Sequence, residues 1–180
     1  DVVTAISAAQ KAFEPWSKRP AAERADFLRK IAAGIDARAD ELAEAESRDT
    51  GKPLLLAKQM DIPRAAWNFR FFAERILQTQ EMATDMDGEA LNYTLRLPVG
   101  VAGLISPWNL PLYLLSWKIA PAIAVGNTVV CKPSELTPTT ASLLGEICNE
   151  AGLPPGVINI VHGRGDVAGQ TLVSHPGVPL

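Results

Sequence analysis

Residues 99–132 are VGVAGLISPWNLPLYLLSWKIAPAIAVGNTVVCK, a stretch in which apolar runs alternate with glycine and proline punctuation. Residues 99–105 are an apolar run of the kind that forms a strand buried on both faces. Ser106-Pro107-Trp108-Asn109 breaks it. Residues 111–125 have the length and apolar content of a buried helix. Gly126 opens a second apolar run, 127–132, which ends on Lys132. Downstream, Thr137 is a plausible N-cap with Pro138 at the first helical position, so a helix is expected to run to Ala151 and stop at Gly152. Residues 157–161 read as a third strand and 166–174 as a short helix. Strands alternating with helices through tight connections predict an α/β fold whose parallel sheet is covered on both faces.

Upstream the pattern is helical. Over 21–48, Phe27, Ile31 and Ile35 recur every four residues, and Leu28, Ile35 and Leu42 every seven, which predicts one long amphipathic helix ended by Gly51 and Pro53. A second helix is expected over 54–80, with Ile62, Trp67, Phe71, Phe72, Ile76 and Leu77 as apolar members and Pro63 as a bend. Residues 92–97 alternate polar and apolar, which suggests a half-exposed strand after a turn at Gly88.

The bulk properties exclude several classes of function. The chain has 180 residues, of which 47% are hydrophobic, enough for a real core. Its 17 basic and 20 acidic residues are interspersed and sum to −3, which leaves no footprint for nucleic acid or anionic lipid. No apolar run reaches the length of a membrane span, and no signal-peptide pattern opens the chain. Cys131 and Cys148 sit in apolar surroundings without metal-ligand spacing, which fits a reducing, cytoplasmic location. Asp1 opens in mid-helix pattern and Gly177-Val178-Pro179-Leu180 reads like a strand entry, so an incomplete chain is expected.

Ligands of parallel sheets bind beyond the carboxyl ends of the strands. Here those ends are Ile105-Ser106-Pro107-Trp108-Asn109, Lys132-Pro133-Ser134-Glu135 and His162-Gly163-Arg164-Gly165. A lysine beside a glutamate can grip a diol such as a ribose, one donating and the other accepting. The same pair can equally be a salt bridge at a helix N-terminus. The glycines at 163, 165 and 169 allow close backbone approach, although the spacing departs from G-x-G-x-x-G and a plain tight turn is the simpler account. Asn109 carries an amide that can donate to an oxyanion or merely cap the helix near Pro111.

Five stretches in order resemble the aldehyde dehydrogenase superfamily: Ile105-Ser106-Pro107-Trp108-Asn109-Leu110-Pro111, Trp117-Lys118-Ile119-Ala120-Pro121-Ala122, Gly126-Asn127-Thr128-Val129-Val130, Lys132-Pro133-Ser134-Glu135 and Gly152-Leu153-Pro154-Pro155-Gly156-Val157. The resemblance covers essentially the whole chain. It implies helices 1–80 belonging to the cofactor-binding domain, subunit-bridging strands within 81–98, and a Rossmann-like NAD-binding region over 99–180. It makes Asn109 the oxyanion donor. Lys132 and Glu135 become the grip on the adenosine ribose, and Ile105, Ser106, Pro107, Trp108, Ser134 and Gly165 line the cofactor cleft. A Glu135 that accepts from both ribose hydroxyls repels a 2′-phosphate, which favours NAD over NADP. Tyr113, Leu114 and Trp117 fall on the helix lining the substrate tunnel, and Asp49 matches a position that helps hold a structural monovalent cation.

Asp61-Ile62-Pro63-Arg64 and Asn68-Phe69-Arg70-Phe71-Phe72 are similar to the 2-aminomuconic and 2-hydroxymuconic semialdehyde dehydrogenases. In that branch an arginine matching Arg64 is a candidate anchor for a substrate carboxylate; a salt-bridging surface arginine is the alternative. The resemblance implies oxidation of a semialdehyde to an acid by a homodimer or homotetramer. The nucleophilic cysteine and general-base glutamate match nothing in these residues, so Cys131 and Cys148 read as structural thiols and the 180 residues alone are expected to be inactive. A non-catalytic nucleotide-binding or assembly module is the competing reading. A reductase of acyl phosphates on the same fold fits Pro107-Trp108-Asn109 less well.

Overall fold

The computed structural model describes residues 1–179. Three parallel strands, β3 (Val101–Ile105), β4 (Thr128–Lys132) and β5 (Ile158–Ile160), lie side by side in chain order. Val101 pairs with Thr128 and Val129 with Ile158. The connections are α6 (Pro111–Ala124) and α7 (Thr139–Glu150). Both pack on one face of the sheet, where Ala102, Val129 and Cys131 join the main core. The opposite face is covered by α1 (Val2–Ser17) and α8 (Gln170–Ser174), over a smaller core of Ile6, Ala9, Val101, Val130, Val161 and Leu172. The five residues of β4 are all buried, as a central strand covered on both faces requires.

The long helix expected over 21–48 is two helices, α2 (Ala21–Ala37) and α3 (Ala39–Thr50). The apolar repeat runs through the break, but the backbone leaves helical geometry at Arg38, with φ −110°. The Arg38 guanidinium is drawn outward onto Glu41 at 2.7 Å, Glu146 at 2.7 Å and Glu150 at 3.4 Å, which ties the break to α7. Gly51 adopts φ 74° and ends α3 in the left-handed conformation that glycine tolerates best.

The helix expected over 54–80 starts with a single turn, α4 (Leu54–Leu56), and continues through a π-helical turn, Ala57–Asp61, into α5 (Ile62–Leu77). Pro63 explains the wide turn. It has no N–H to give to the preceding turn, and its ring crowds the carbonyl four residues back. The buried face of α5 is Ile62, Ala65, Ala66, Phe69 and Ala73. Trp67, Phe71 and Leu77, apolar members of the same helix, are exposed. The small alanines let α2 and α6 approach closely, and Trp67 and Phe71 are turned to the other side.

The strand expected over 92–97 is displaced. A hairpin pairs β1 (Ala83–Met86) with β2 (Ala90–Tyr93), antiparallel, with Ala83 opposite Tyr93. Its turn has φ 55° at Asp87 and φ 77° at Gly88, and the Asp85 carboxylate accepts from the Gly88 N–H at 3.0 Å. Such a D-G turn twists as the strands do. Every residue of both strands is exposed, so alternation there reports no burial and could not set the strand ends.

The first helix is secured by contacts with far-off sequence. Thr128 Oγ1 donates to the Ala9 carbonyl at 2.9 Å and Trp16 Nε1 to the Ile123 carbonyl at 3.1 Å. A Cβ on Gly156 would lie 2.6 Å from the Ala8 carbonyl oxygen, so only glycine lets that loop meet α1.

Candidate active site and coenzyme edge

The sheet gathers the three strand ends at one edge. The Ser106 N–H donates to the Lys132 carbonyl at 3.3 Å, joining the first two. Ile105 and Lys132 are register partners on the face that carries α8. There a π-type turn, Gly165–Gly169, leads into that helix. A Cβ on Gly169 would touch Ile105 Cδ1 and Lys132 Cδ at 3.9 Å, and one on Gly165 would meet no atom within 4 Å. The third strand end therefore folds over the second and leaves open space at Gly165.

Lys132 is 3% exposed, while the Glu135 carboxylate it reaches at 2.8 Å stays 45% exposed. The hydrogen bond from Lys132, helped by backbone donors including Gly165, holds the Glu135 carboxyl down at about 2. Glu135 is thus a fixed, ionised acceptor at an open edge. Ser134 Oγ accepts from the Leu136 N–H at 3.2 Å and shapes the loop. The Ser106 hydroxyl is buried with no partner. An ionised acceptor facing solvent, a glycine with free space and an orphaned hydroxyl suit the adenosine side of a dinucleotide such as NAD.

Asn109 is exposed beside the exposed Pro107 and Trp108. It does not cap the next helix: the N-cap of α6 is Leu110, which makes no side-chain cap. The Asn109 amide joins none of the hydrogen bonds of the described residues, and its backbone carbonyl accepts from Lys52 Nζ at 3.2 Å. Thr137, expected to cap α7, does not. Its hydroxyl is unpartnered, and the cap comes from Asp49, whose carboxylate accepts from the Thr139 N–H at 2.9 Å and the Thr139 hydroxyl at 3.0 Å. Asp49, the expected cation ligand, thus has both oxygens engaged at a helix N-terminus, where an anion is favoured. Among the described residues no three His, Cys, Asp or Glu side chains cluster as a metal site.

A second region lies where α5 and α6 meet. The Arg64 guanidinium stands 4.3 Å above the Trp67 ring, 5.6 Å from that of Tyr113 and 5.8 Å from that of Trp117. Its Nε is buried without a partner. Gln59, Met60, Pro63, Arg64, Trp67 and Tyr113 line an open pocket of about 450 Å³. The buried Asn68 locks the two helices by donating to the Tyr113 carbonyl at 3.2 Å and to Ser116 Oγ at 2.9 Å. Leu114, half-buried, follows Tyr113 on α6. The sequence reading missed Trp67 as a site residue. Its place three residues after Arg64, on the same helical face, was the available signal.

Both cysteines are buried and unpaired. Burial pushes the Cys131 thiol well up and that of Cys148 up to about 12, so neither is a ready nucleophile. His162 is exposed, its Nε2 3.0 Å from Ser142 Oγ. No helix of the described residues is long and apolar enough to cross a membrane.

Residues 1–180 match the aldehyde dehydrogenase family, to which the chain belongs. It is 56% identical over 181 residues to the 2-aminomuconic semialdehyde dehydrogenase of Danio rerio, covering 100% of this chain and 37% of that protein. It is 53% identical over 184 residues to the 2-hydroxymuconic semialdehyde dehydrogenase of Pseudomonas sp. (strain CF600), covering 99% of this chain and 38% of that one. The NAD+ complex of an aldehyde dehydrogenase from Bacillus cereus superposes with a TM-score of 0.96 at 40% identity, over 99% of this chain and 37% of that one. The chain therefore spans a little over a third of the length of the relatives it matches.

Proposed function

We propose that this chain supplies the adenosine grip, the oxyanion donor and one wall of the aldehyde pocket in an NAD-dependent dehydrogenase that oxidises a carboxylate-bearing semialdehyde to the acid. The observation that carries the substrate class is Arg64. A guanidinium caged by three aromatic rings, with a buried N–H left unpartnered, suits a planar anion, because each unsatisfied buried donor costs about 1–3 kcal/mol until an acceptor arrives. The identities to semialdehyde dehydrogenases support the same reading.

NAD, when bound, supplies the hydride acceptor. Lys132 and Glu135 bind the adenosine ribose through its diol. The charge on Glu135 disfavours a 2′-phosphate, hence NAD before NADP. Ile105, Ser106, Pro107, Trp108, Ser134 and Gly165 shape that cleft. The Asn109 amide donates to the oxygen of the aldehyde as it gains negative charge, while Tyr113, Leu114 and Trp117 exclude water beside it. In this reading neither buried thiol attacks the aldehyde; thiolate and base belong to the part of the relatives' length that the chain does not span. The exposed Met86, Leu91 and Tyr93 of the hairpin suit a subunit-bridging surface in a cytoplasmic homodimer or homotetramer.

The test is Arg64→Ala in the full-length protein, assayed on two aldehydes of equal length, one carrying a distal carboxylate. KM for the carboxylate-bearing aldehyde is expected to rise roughly 30-fold, the worth of about 2 kcal/mol from charged hydrogen bonds. KM for the neutral aldehyde should hardly move. Equal effects on both would overturn the carboxylate reading.

A further inference from the structure

Behind Asn109 lies a cluster of charges that the proposed reaction does not use. Glu46 on α3 and Asp61 at the end of the π-turn are 0% exposed, and Lys52 between them is 12% exposed. Lys52 Nζ donates to Asp61 Oδ2 and lies 3.6 Å from Glu46 Oε1. Its remaining contact leaves the cluster, to the Asn109 carbonyl at 3.2 Å.

The approach of Lys52 is itself fixed. Gly51 reverses the chain at φ 74°. Ser47 Oγ donates to the Lys52 carbonyl at 2.7 Å, and Thr50 Oγ1 accepts from the Lys52 N–H at 3.3 Å. On the acceptor side, the wide turn forced by Pro63 ends on Asp61. Buried charges are expensive and rarely improve stability over apolar packing. Two carboxylates and one ammonium, with three of the four carboxylate oxygens lacking a hydrogen-bond partner, are a poor choice for holding helices together. The loop from Ser106 to Leu110 has few other restraints: it is exposed at 107–109, and the following helix has no side-chain cap.

We propose that Lys52 is a positioning residue for the oxyanion donor: anchored by Asp61 and Glu46, it holds the main chain of Asn109 by its carbonyl and so aims the amide. This inference rests on the oxyanion role assigned to Asn109. An amide displaced by about 1 Å can lose a large part of its effect on a transition state, whereas ground-state binding of aldehyde and NAD depends on other groups.

The test is a double-mutant cycle in the full-length protein. Lys52→Met is combined with Asp61→Asn, so that no unpaired charge is created and Glu46 can take a proton. Lys52→Arg is made separately, as a variant that keeps the buried charge and protects the fold while altering the geometry of the donor. Each is measured alone and together with Asn109→Ala. Asn109→Ala is expected to lower kcat about 10²–10³-fold, as loss of an oxyanion donor does. Each Lys52 variant should lower kcat roughly tenfold or more, with KM for NAD and aldehyde within about twofold, and should cause no further loss once Asn109 is alanine. Losses that multiply, or a Lys52 variant with unchanged kcat, overturn the positioning role and leave the proposed function standing. An unchanged kcat in Asn109→Ala overturns the oxyanion role, and with it the inference.

Discussion

Two lysine–glutamate pairs in this chain have opposite electrostatics. In Lys132–Glu135 the lysine is buried and the carboxylate faces solvent; in Lys52–Glu46 the carboxylate is fully buried and the lysine is 12% exposed. The hydrogen bond from Lys132 holds Glu135 at about 2, whereas burial raises Glu46 to about 7 despite its lysine. The Leu112 N–H and the Thr140 hydroxyl face Glu46 and pull the other way, but neither completes a hydrogen bond. Exposure and hydrogen bonding decide the difference. The solvent-facing acid is a ready acceptor for a ligand, and the buried one is a structural charge close to neutralisation.

The contrast breaks most sharply at Lys52. Lys52→Ala leaves Asp61 and Glu46 buried without a cation and should destabilise the protein by about 3–5 kcal/mol, read as a lower denaturant midpoint at unchanged slope. Next is pH. The raised Glu46 carboxyl favours the folded state below about 4.5, its ordinary value, and that contribution is lost as pH rises through about 7. At 1.36 kcal/mol per tenfold in proton affinity, the change is about 3 kcal/mol. Relative to Glu46→Gln, the wild type should therefore lose stability between pH 4.5 and 7; parallel pH curves for the two would contradict the buried-acid assignment. Glu135→Gln, at the solvent-facing pair, should act mainly on coenzyme binding; with it goes the solvent-screened stability that the lowered carboxyl contributes above about 4.5 and loses as pH falls toward about 2. It should raise KM for NAD roughly tenfold, about 1.4 kcal/mol, and narrow the preference over NADP, as steady-state kinetics with both coenzymes will report. The smallest effect is expected at Asp49. Asp49→Ala removes the α7 cap and should cost about 1 kcal/mol, seen as a modest fall in thermal midpoint.

Much of this was legible in the sequence because it is local. The apolar runs around 99–105 and 127–132, with the glycines and prolines that bound them, placed β3, β4 and α6 within two residues. The same punctuation marked the loops carrying Asn109 and Glu135. Burial patterns that depend on distant partners were not legible. The break at Arg38 is tied to Glu146 and Glu150, and the cap of α7 comes from Asp49, 90 residues earlier. The hairpin misled because both its faces are exposed. Glu46, Lys52 and Asp61 were not singled out, since in sequence a buried charge looks like a surface one.

The docking of α1 also has a consequence in time. Its partners, Ile123, Thr128 and Gly156, lie more than 100 residues downstream. At about 5–20 residues per second, translation needs roughly 7–30 s between delivering Ala9 and delivering Gly156. For that interval the Ile6 and Ala9 face has no sheet to cover. A segment made more than 100 residues before its partners is among the last able to fold, and this amphipathic helix gives a nascent-chain chaperone a long opportunity to bind.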